Sequence, residues 1–191
     1  MRRRYVFDPP DRFVAGTVGE PGNRTFFLQA RDDRRVVSIV LEKVQVAVLA
    51  DRLGRLLEEV ERRGLADLPG EASAVDGEPL DEPVVEAFRA GTLTLGWDES
   101  VSRVLVEARE SVEDDDDEAE DEGDEGALGF DDDDAEGPDL LRVRLTPVAA
   151  RSFVERAIQV VAAGRPPCPL CGAPLDATGH ICPRRNGHYV N

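Results

Sequence analysis

The sequence is poor in the residues that most enzyme sites and membrane segments require. It has two histidines, three cysteines, one tryptophan and a single lysine among its 191 residues. No run approaches the ~20 continuous apolar residues that a membrane-spanning helix needs. The first ten residues, which begin with Met1 and three arginines, reach acid and proline before a signal-peptide apolar region could form. We therefore expect a cytoplasmic protein with no membrane contact.

The scarce histidines and cysteines are confined to the C-terminal end, which limits the catalytic arrangements available elsewhere. A Ser-His-Asp or Cys-His arrangement has no histidine outside this end of the chain. The chain also lacks a glycine-rich phosphate loop and an HExxH motif. The one carboxylate pairing of note is Glu42 beside Lys43, and an exposed charge pair at a strand-to-helix junction explains it more simply. We expect no enzyme activity, with a carboxylate-dependent enzyme as the least favoured alternative.

The net charge of −17 comes from one segment and not from the whole surface. Seventeen acidic residues and no basic ones lie between Glu113 and Asp139, which leaves 23 acidic against 23 basic residues in the rest of the chain. A segment so rich in charge and so poor in apolar residues cannot offset the entropy of ordering. Residues 111–139 are therefore predicted to be a disordered acidic loop, a solvated insertion between two strands. Contact with a basic partner is the alternative for this loop.

The first half of the chain predicts a three-stranded antiparallel meander followed by one helix. Runs rich in β-forming residues at 12–18, 25–31 and 36–41 are separated by turn residues. Apolar residues then recur at helical spacing over 44–63, and Gly64 supplies a stop.

The second half repeats this order of elements after a loop-like stretch at 65–83. The motif at 88–93 echoes that at 13–18, and an apolar stripe at 148–163 follows a strand at 140–145. Alignment of the two units places Leu41 on Leu145, Val44 on Val148, Leu49 on Phe153 and Arg52 on Arg156. Agreement of order, motif and register predicts an internal duplication.

These patterns predict an α+β fold in which two pseudo-repeated β-β-β-α units form one antiparallel-sheet domain over residues 1–165. A three-stranded sheet with one helix cannot bury both of its faces alone, so the two units are expected to share a core. Residues 166–191 are expected to form a short zinc-knuckle tail.

The cysteine spacing at the C-terminal end predicts a metal site. Cys168 and Cys171 are separated by two residues, which lets two thiolates converge on one ion, and Cys182 supplies a third. His180 is our first choice for the fourth ligand, and His188 is the alternative. Three sulfurs and a histidine would close a zinc tetrahedron, so we expect a structural Zn²⁺ and not a catalytic one. Zinc binding and folding of the tail are then one event.

Several motifs of the chain resemble those of a known protein family. They lie at 8–19, 25–30, 40–43, 164–171, 179–182 and 186–187. On these motifs the chain is similar to an actinobacterial family of uncharacterised proteins, catalogued as domain of unknown function 3090, over nearly its whole length except the acidic loop. The resemblance implies a Gly-His-x-Cys pattern at His180 more firmly than a histidine at position 188. It implies no activity.

The sequence favours a scaffold or adaptor that binds another protein. A nucleic-acid-associated zinc protein is the alternative, because Arg184, Arg185 and the arginines at 2–4 suit phosphate groups. The acidic loop disfavours this alternative, since 17 negative charges would compete for those arginines or repel a polyanion.

Overall fold

In the computed structural model, the described residues form seven strands and two helices, which make up an α+β fold. The structure describes residues 2–66, 75–112, 137–164, 168–171, 182 and 184. The elements are β1 Arg4–Phe7, β2 Arg12–Val18, β3 Thr25–Asp32, β4 Arg35–Leu41, α1 Lys43–Arg62, β5 Glu86–Asp98, β6 Arg103–Glu110, β7 Leu140–Leu145 and α2 Pro147–Ala162.

The strands form one mixed sheet in the order β1-β7-β6-β5-β4-β3-β2. As predicted, β2, β3 and β4 form one antiparallel meander, and β5, β6 and β7 form a second. The prediction of a wholly antiparallel sheet is wrong at two places, because β4 runs parallel to β5 and β1 runs parallel to β7. The chain crosses from β4 to β5 through α1, and a crossover of this kind makes neighbouring strands parallel.

The short strand β1 has no counterpart among the predicted strands. Its four residues lie between an arginine run and Asp8-Pro9-Pro10, so they give no clear alternation of apolar and polar residues. Its partner is distant in sequence, since Arg4 to Phe7 pair with Leu140 to Val143. A strand whose pairing depends on a residue 136 positions away leaves no local turn signal.

The sheet must be strongly curled. β1 and β2 lie at opposite ends of the strand order, yet only residues 8–11 connect them. The link from Phe7 to Arg12 spans about 19 Å at most. In a flat sheet, six spacings of about 4.8 Å would separate these edges by about 29 Å. The guanidinium of Arg35, on β4, accordingly lies 4.4 Å from the centre of the Phe7 ring on β1.

The two meanders have the same internal order across the sheet, with the third strand of each on the same side. Because β4 and β5 are parallel, equivalent strands of the two meanders also run in the same direction. The helices pack against each other, and each also contacts the other unit, α1 on β5 and α2 on β2. A duplication requires this match of order and direction, and the duplication itself stays a prediction.

One hydrophobic core fills the space between the helices and one face of the sheet. Alternate residues of the strands point into it, and the helices contribute residues three and four positions apart. Phe13 on β2 contacts Phe153 on α2, with the ring centroids 4.8 Å apart. The buried residues of α1 are Val46, Leu49, Ala50, Leu53, Leu57 and Val60.

Both helices begin at residues with recognisable caps. The Thr146 side chain accepts a hydrogen bond from the Ala149 N–H at 3.1 Å, and Pro147 is the first residue of α2. α1 ends before Gly64, whose φ of 67° favours glycine. In the described part of the chain, neither helix is long and apolar enough to cross a membrane.

The stretch 75–83, predicted as a loop, crosses the opposite face of the sheet. Leu80 packs there against side chains of β2, β3 and β4 in a second, smaller apolar cluster. Gly16 on β2 lies directly beneath it, and a Cβ at this position would come within 2.6 Å of the Leu80 side chain. Glycine at position 16 therefore permits the close approach of Leu80.

Most of the predicted acidic loop, residues 113–136, lies outside the described residues. Asp139, the last residue of the predicted loop, is described, and it is buried. It accepts hydrogen bonds from the backbone N–H of Arg3 at 2.8 Å and from the Arg3 Nε at 2.6 Å. Asp139 therefore belongs to the folded sheet, where it joins β1 to the start of β7.

Candidate metal centre

The three cysteines come together beyond the end of α2. Cys168 and Cys171 lie at either end of a short turn, which brings the second sulfur back beside the first. Cys182 reaches the same place from further along the chain.

The sulfur positions fit three thiols that face one ion-sized space. All three Sγ atoms lie within 4.8 Å of one another, and those of Cys168 and Cys182 are 4.0 Å apart. In a tetrahedral site with metal–sulfur bonds of about 2.3 Å, neighbouring sulfurs are about 3.8 Å apart. Sulfurs joined in a disulfide are about 2.05 Å apart. All three cysteines are accordingly free thiols.

The backbone around Cys168 favours the thiolate form. The Cys171 N–H, followed by the Leu170 N–H, donates to the Cys168 sulfur and lowers the pKa of this thiol. Desolvation opposes the shift, and the other two thiols add to it. Cys168 and Cys182 are buried, and Cys171 is half-buried. Because the thiolate is the form that binds metal ions, this environment suits a metal ligand.

The structure brings together three of the predicted ligands and could hold a metal ion at this point. Thiolates favour soft or borderline metals, among which zinc is the commonest with three sulfurs and a histidine. His180 and His188 both lie outside the described residues. The fourth ligand and the identity of the ion therefore stay predictions.

Glu42, the carboxylate that the sequence singled out, fixes the start of α1. Glu42 is the N-cap residue of α1, and its backbone N–H donates to Gln45 Oε1 at 2.8 Å. Its carboxylate accepts a hydrogen bond from Arg89 Nη1 on β5 at 2.9 Å. These contacts give Glu42 a structural role at the junction of α1 and β5.

A buried ion cluster on β6 and β7 was not predicted. The Glu107 side chain is 2% exposed and pairs with Arg109 at 2.9 Å and with Arg142 at 2.8 Å. The sequence signal for this cluster was that Glu107 interrupts the apolar run of β6, at a position whose side chain points away from the helices. Two arginines held against one carboxylate make this cluster part of the fold.

A polar cleft of about 430 Å³ lies beside 75–83. In it, Arg12 donates to Asp76 at 2.6 Å and to Asp81 at 3.0 Å. The hydrogen bond from Arg12 is the main reason why the pKa of Asp76 lies below its usual value. Desolvation would raise the pKa of Asp81, but hydrogen bonds from Arg12 and Arg31 outweigh it and lower the pKa. Both carboxylates are therefore ionised at neutral pH and unsuited to act as general acids.

A protein-family model described as "Protein of unknown function (DUF3090)" matches residues 5–182. No curated protein and no solved structure gave a significant match to the chain. The matched range begins within β1 and ends at Cys182, so it contains both meanders, both helices and all three cysteines.

Proposed function

This chain belongs to the family described as "Protein of unknown function (DUF3090)", and we propose from its own residues that it is a zinc-containing, non-enzymatic scaffold that binds another protein. The convergence of the Cys168, Cys171 and Cys182 sulfurs within 4.8 Å is the observation that supports this most. His180 supplies the fourth ligand, with His188 as the alternative. A cytoplasmic location and an actinobacterial origin are part of the same proposal.

The zinc site is structural in this proposal because its ligand set leaves no open position. A catalytic zinc normally keeps one position for water or substrate, whereas three sulfurs and a histidine complete the tetrahedron. Burial of Cys168 and Cys182 further separates the ion from solvent. The ion then fixes the segment after α2 against the folded domain.

The scaffold role is favoured because the charged groups that could perform chemistry are used to hold the fold. Glu42 caps α1, Glu107 pairs with two arginines, and Asp76 and Asp81 pair with Arg12. The nucleic-acid alternative gains no support from Arg3, which pairs with Asp139 at 2.6 Å. Protein binding through exposed parts of the sheet and helices remains the function that these contacts favour.

Metal analysis of the purified protein, prepared without chelators, tests the zinc site. We expect about one zinc per chain, because one Cys₃His set completes one tetrahedron. His180→Ala should lose zinc, and His188→Ala, the matched control, should retain it. Cobalt substitution should give the visible absorption bands of a tetrahedral thiolate site.

The outcome of the metal analysis separates the two histidines. Loss of zinc in His188→Ala alone would reverse their assignment. Wild-type protein without bound metal would refute the zinc proposal.

Affinity capture from the native cell, with and without residues 166–191, tests the scaffold role. One protein recovered in stoichiometric amount would support it. RNA or DNA in the eluate would favour the nucleic-acid alternative instead.

A further inference from the structure

The second half of β5 has a strand neighbour on one side only, within the described part of the chain. β4 pairs with β5 at Glu86 and Arg89, and from Leu93 to Asp98 the pairing of β5 is with β6. In an antiparallel pair, alternate residues direct their N–H and C=O groups away from the partner strand. The outer edge of this stretch therefore offers backbone donors and acceptors to an added strand.

The start of this edge already accepts hydrogen bonds from a side chain. The Nε2 atom of Gln45, in the first turn of α1, donates to the carbonyl oxygens of Ala90 and Gly91, at 3.1 Å in each case. These carbonyl groups therefore face α1. The strand continues from them along the same helix.

An apolar groove lies between this edge and α1. It consists of two adjoining hollows of about 300 and 200 Å³, which share Val48, Arg52 and Leu93. Val44 and Val48 are 64% and 43% exposed although both are apolar. Because they are four residues apart on α1, they form a stripe on one side of the helix. An apolar stripe beside a free strand edge suits the side chains of an extended peptide.

Arg52 extends this stripe with a positive charge. It follows Val48 by four residues and lines both hollows. No carboxylate of the described residues pairs with Arg52, whereas Arg55, further along the same helix, pairs with Asp51 at 3.1 Å. A carboxylate on a bound peptide would give Arg52 a charged partner.

We propose that the groove between α1 and β5 binds an extended segment of a partner protein, which adds a strand to the edge of β5. Apolar side chains of the segment enter the groove at Val48 and Leu93, and an aspartate or glutamate pairs with Arg52. This inference names the surface and the partner chemistry of the proposed scaffold, and it rests on that role. It does not depend on the cysteines, so it can fail or hold separately from the zinc site.

Selection of a displayed library of random dodecapeptides on the full-length protein tests this surface. We expect enriched peptides to alternate apolar residues and to carry at least one acidic residue. Trp97, the only tryptophan, lies on β5 two residues beyond Leu95, so its fluorescence can follow titration with an enriched peptide. Hydrogen exchange of amides in 92–98 should slow when the peptide binds.

Variants of exposed residues on α1 give the sharpest result. Arg52→Glu should weaken binding of an acidic peptide by about tenfold or more, and a repeated selection on it should enrich basic peptides. Val48→Asp should weaken binding through loss of the apolar contact. Arg55→Glu is the matched control, because Arg55 does not line the groove, and it should leave binding unchanged.

Several results would overturn the proposal. One is a selection that enriches no peptide. Another is that enriched peptides bind the Arg52→Glu variant with the same affinity as the wild-type protein. If the β5 amides of the free protein are protected from exchange and dilution removes this protection, a second copy occupies the groove. If deletion of 113–136 removes the protection, the chain's own segment occupies it. Capture of a cellular partner by Val48→Asp as efficiently as by wild type would refute this surface and leave the scaffold role standing.

Discussion

Arg156 is a buried cation that holds three segments of the chain together. Its Nε donates to the Ala15 carbonyl on β2 at 2.8 Å, and its Nη2 donates to the Glu78 carbonyl at 2.7 Å. Its Nη1 donates to the Asp76 carboxylate at 2.8 Å. Desolvation lowers the pKa of Arg156, and the charge of Asp76 opposes this shift. Because β2 is the last strand of the sheet, the bond to Ala15 also occupies a carbonyl at the sheet edge.

Replacement of Arg156 should therefore destabilise the fold far more than replacement of Arg52. We expect Arg156→Ala to lower the free energy of unfolding by about 3 kcal/mol, because it leaves the buried Ala15 carbonyl without its donor and removes a buried cation from beside Asp76. Arg52→Ala, at the position that the predicted duplication equates with Arg156, should change it by less than about 0.5 kcal/mol. Urea unfolding of both variants checks this, and similar losses in the two would contradict it.

Asp76 should give the same network a pH dependence. Its pKa is lowered from 3.8 in the folded protein, mainly by the hydrogen bond from Arg12. A carboxyl group with a lower pKa in the folded state stabilises the fold above its unfolded pKa, and this contribution is lost as the pH falls through the folded value. We expect Asp76→Asn to lower the free energy of unfolding by about 1 kcal/mol at pH 7.

The difference between Asp76→Asn and wild type should shrink as the pH falls from about 4 towards 2. Denaturant unfolding at several pH values measures it. Asp51→Asn, in an exposed pair with Arg55, is the control and should have an effect below about 0.5 kcal/mol at pH 7. A constant difference across the acid range would show that the Asp76 carboxylate does not carry the effect.

At the scale of elements, features with a local cause could be predicted from the sequence. The strands β2 to β4 are runs rich in β-forming residues between turn signals, and α2 carries a cap and an apolar stripe. The Cys-x-x-Cys spacing likewise places two sulfurs on one turn, whatever the rest of the fold. For these elements the deciding interactions lie within a few residues of one another.

Features that depend on contacts between distant residues could not be predicted. The parallel pairing of β4 with β5 depends on where the chain returns after α1, and β1 pairs with a strand at the other end of the sequence. From the sequence alone, Glu107 and Asp139 would be assigned to the surface. In the structure both are buried and pair with arginines. β5 extends to Asp98, beyond the motif at 88–93 that echoes 13–18, and Leu95 and Trp97 pack on the core from this longer strand.

At the scale of the whole molecule, the N-terminal strand and its short connection to β2 bring the two ends of the sheet together. β1 closes one end by pairing with β7, and the short connection 8–11 forces the sheet to curl until β2 lies within its reach. Asp139 strengthens the β1–β7 pair, because it accepts two hydrogen bonds from Arg3. The junction between the acidic segment and the sheet is therefore a point at which the global fold is fixed.

Two deletions that differ by three residues should separate the solubility role of the acidic segment from the structural role of Asp139. Deletion of 113–136 removes 16 acidic residues and no basic ones, which changes the formal net charge from −17 to −1. We expect a protein with nearly the same free energy of unfolding but lower solubility near neutral pH, because charge repulsion between molecules is lost.

Deletion of 113–139 also removes the buried carboxylate that Arg3 binds. The longer deletion should therefore lower the free energy of unfolding by about 2 kcal/mol more than the shorter one. Denaturant unfolding and solubility measurements on both proteins check this, and equal stability of the two deletions would contradict the role assigned to Asp139.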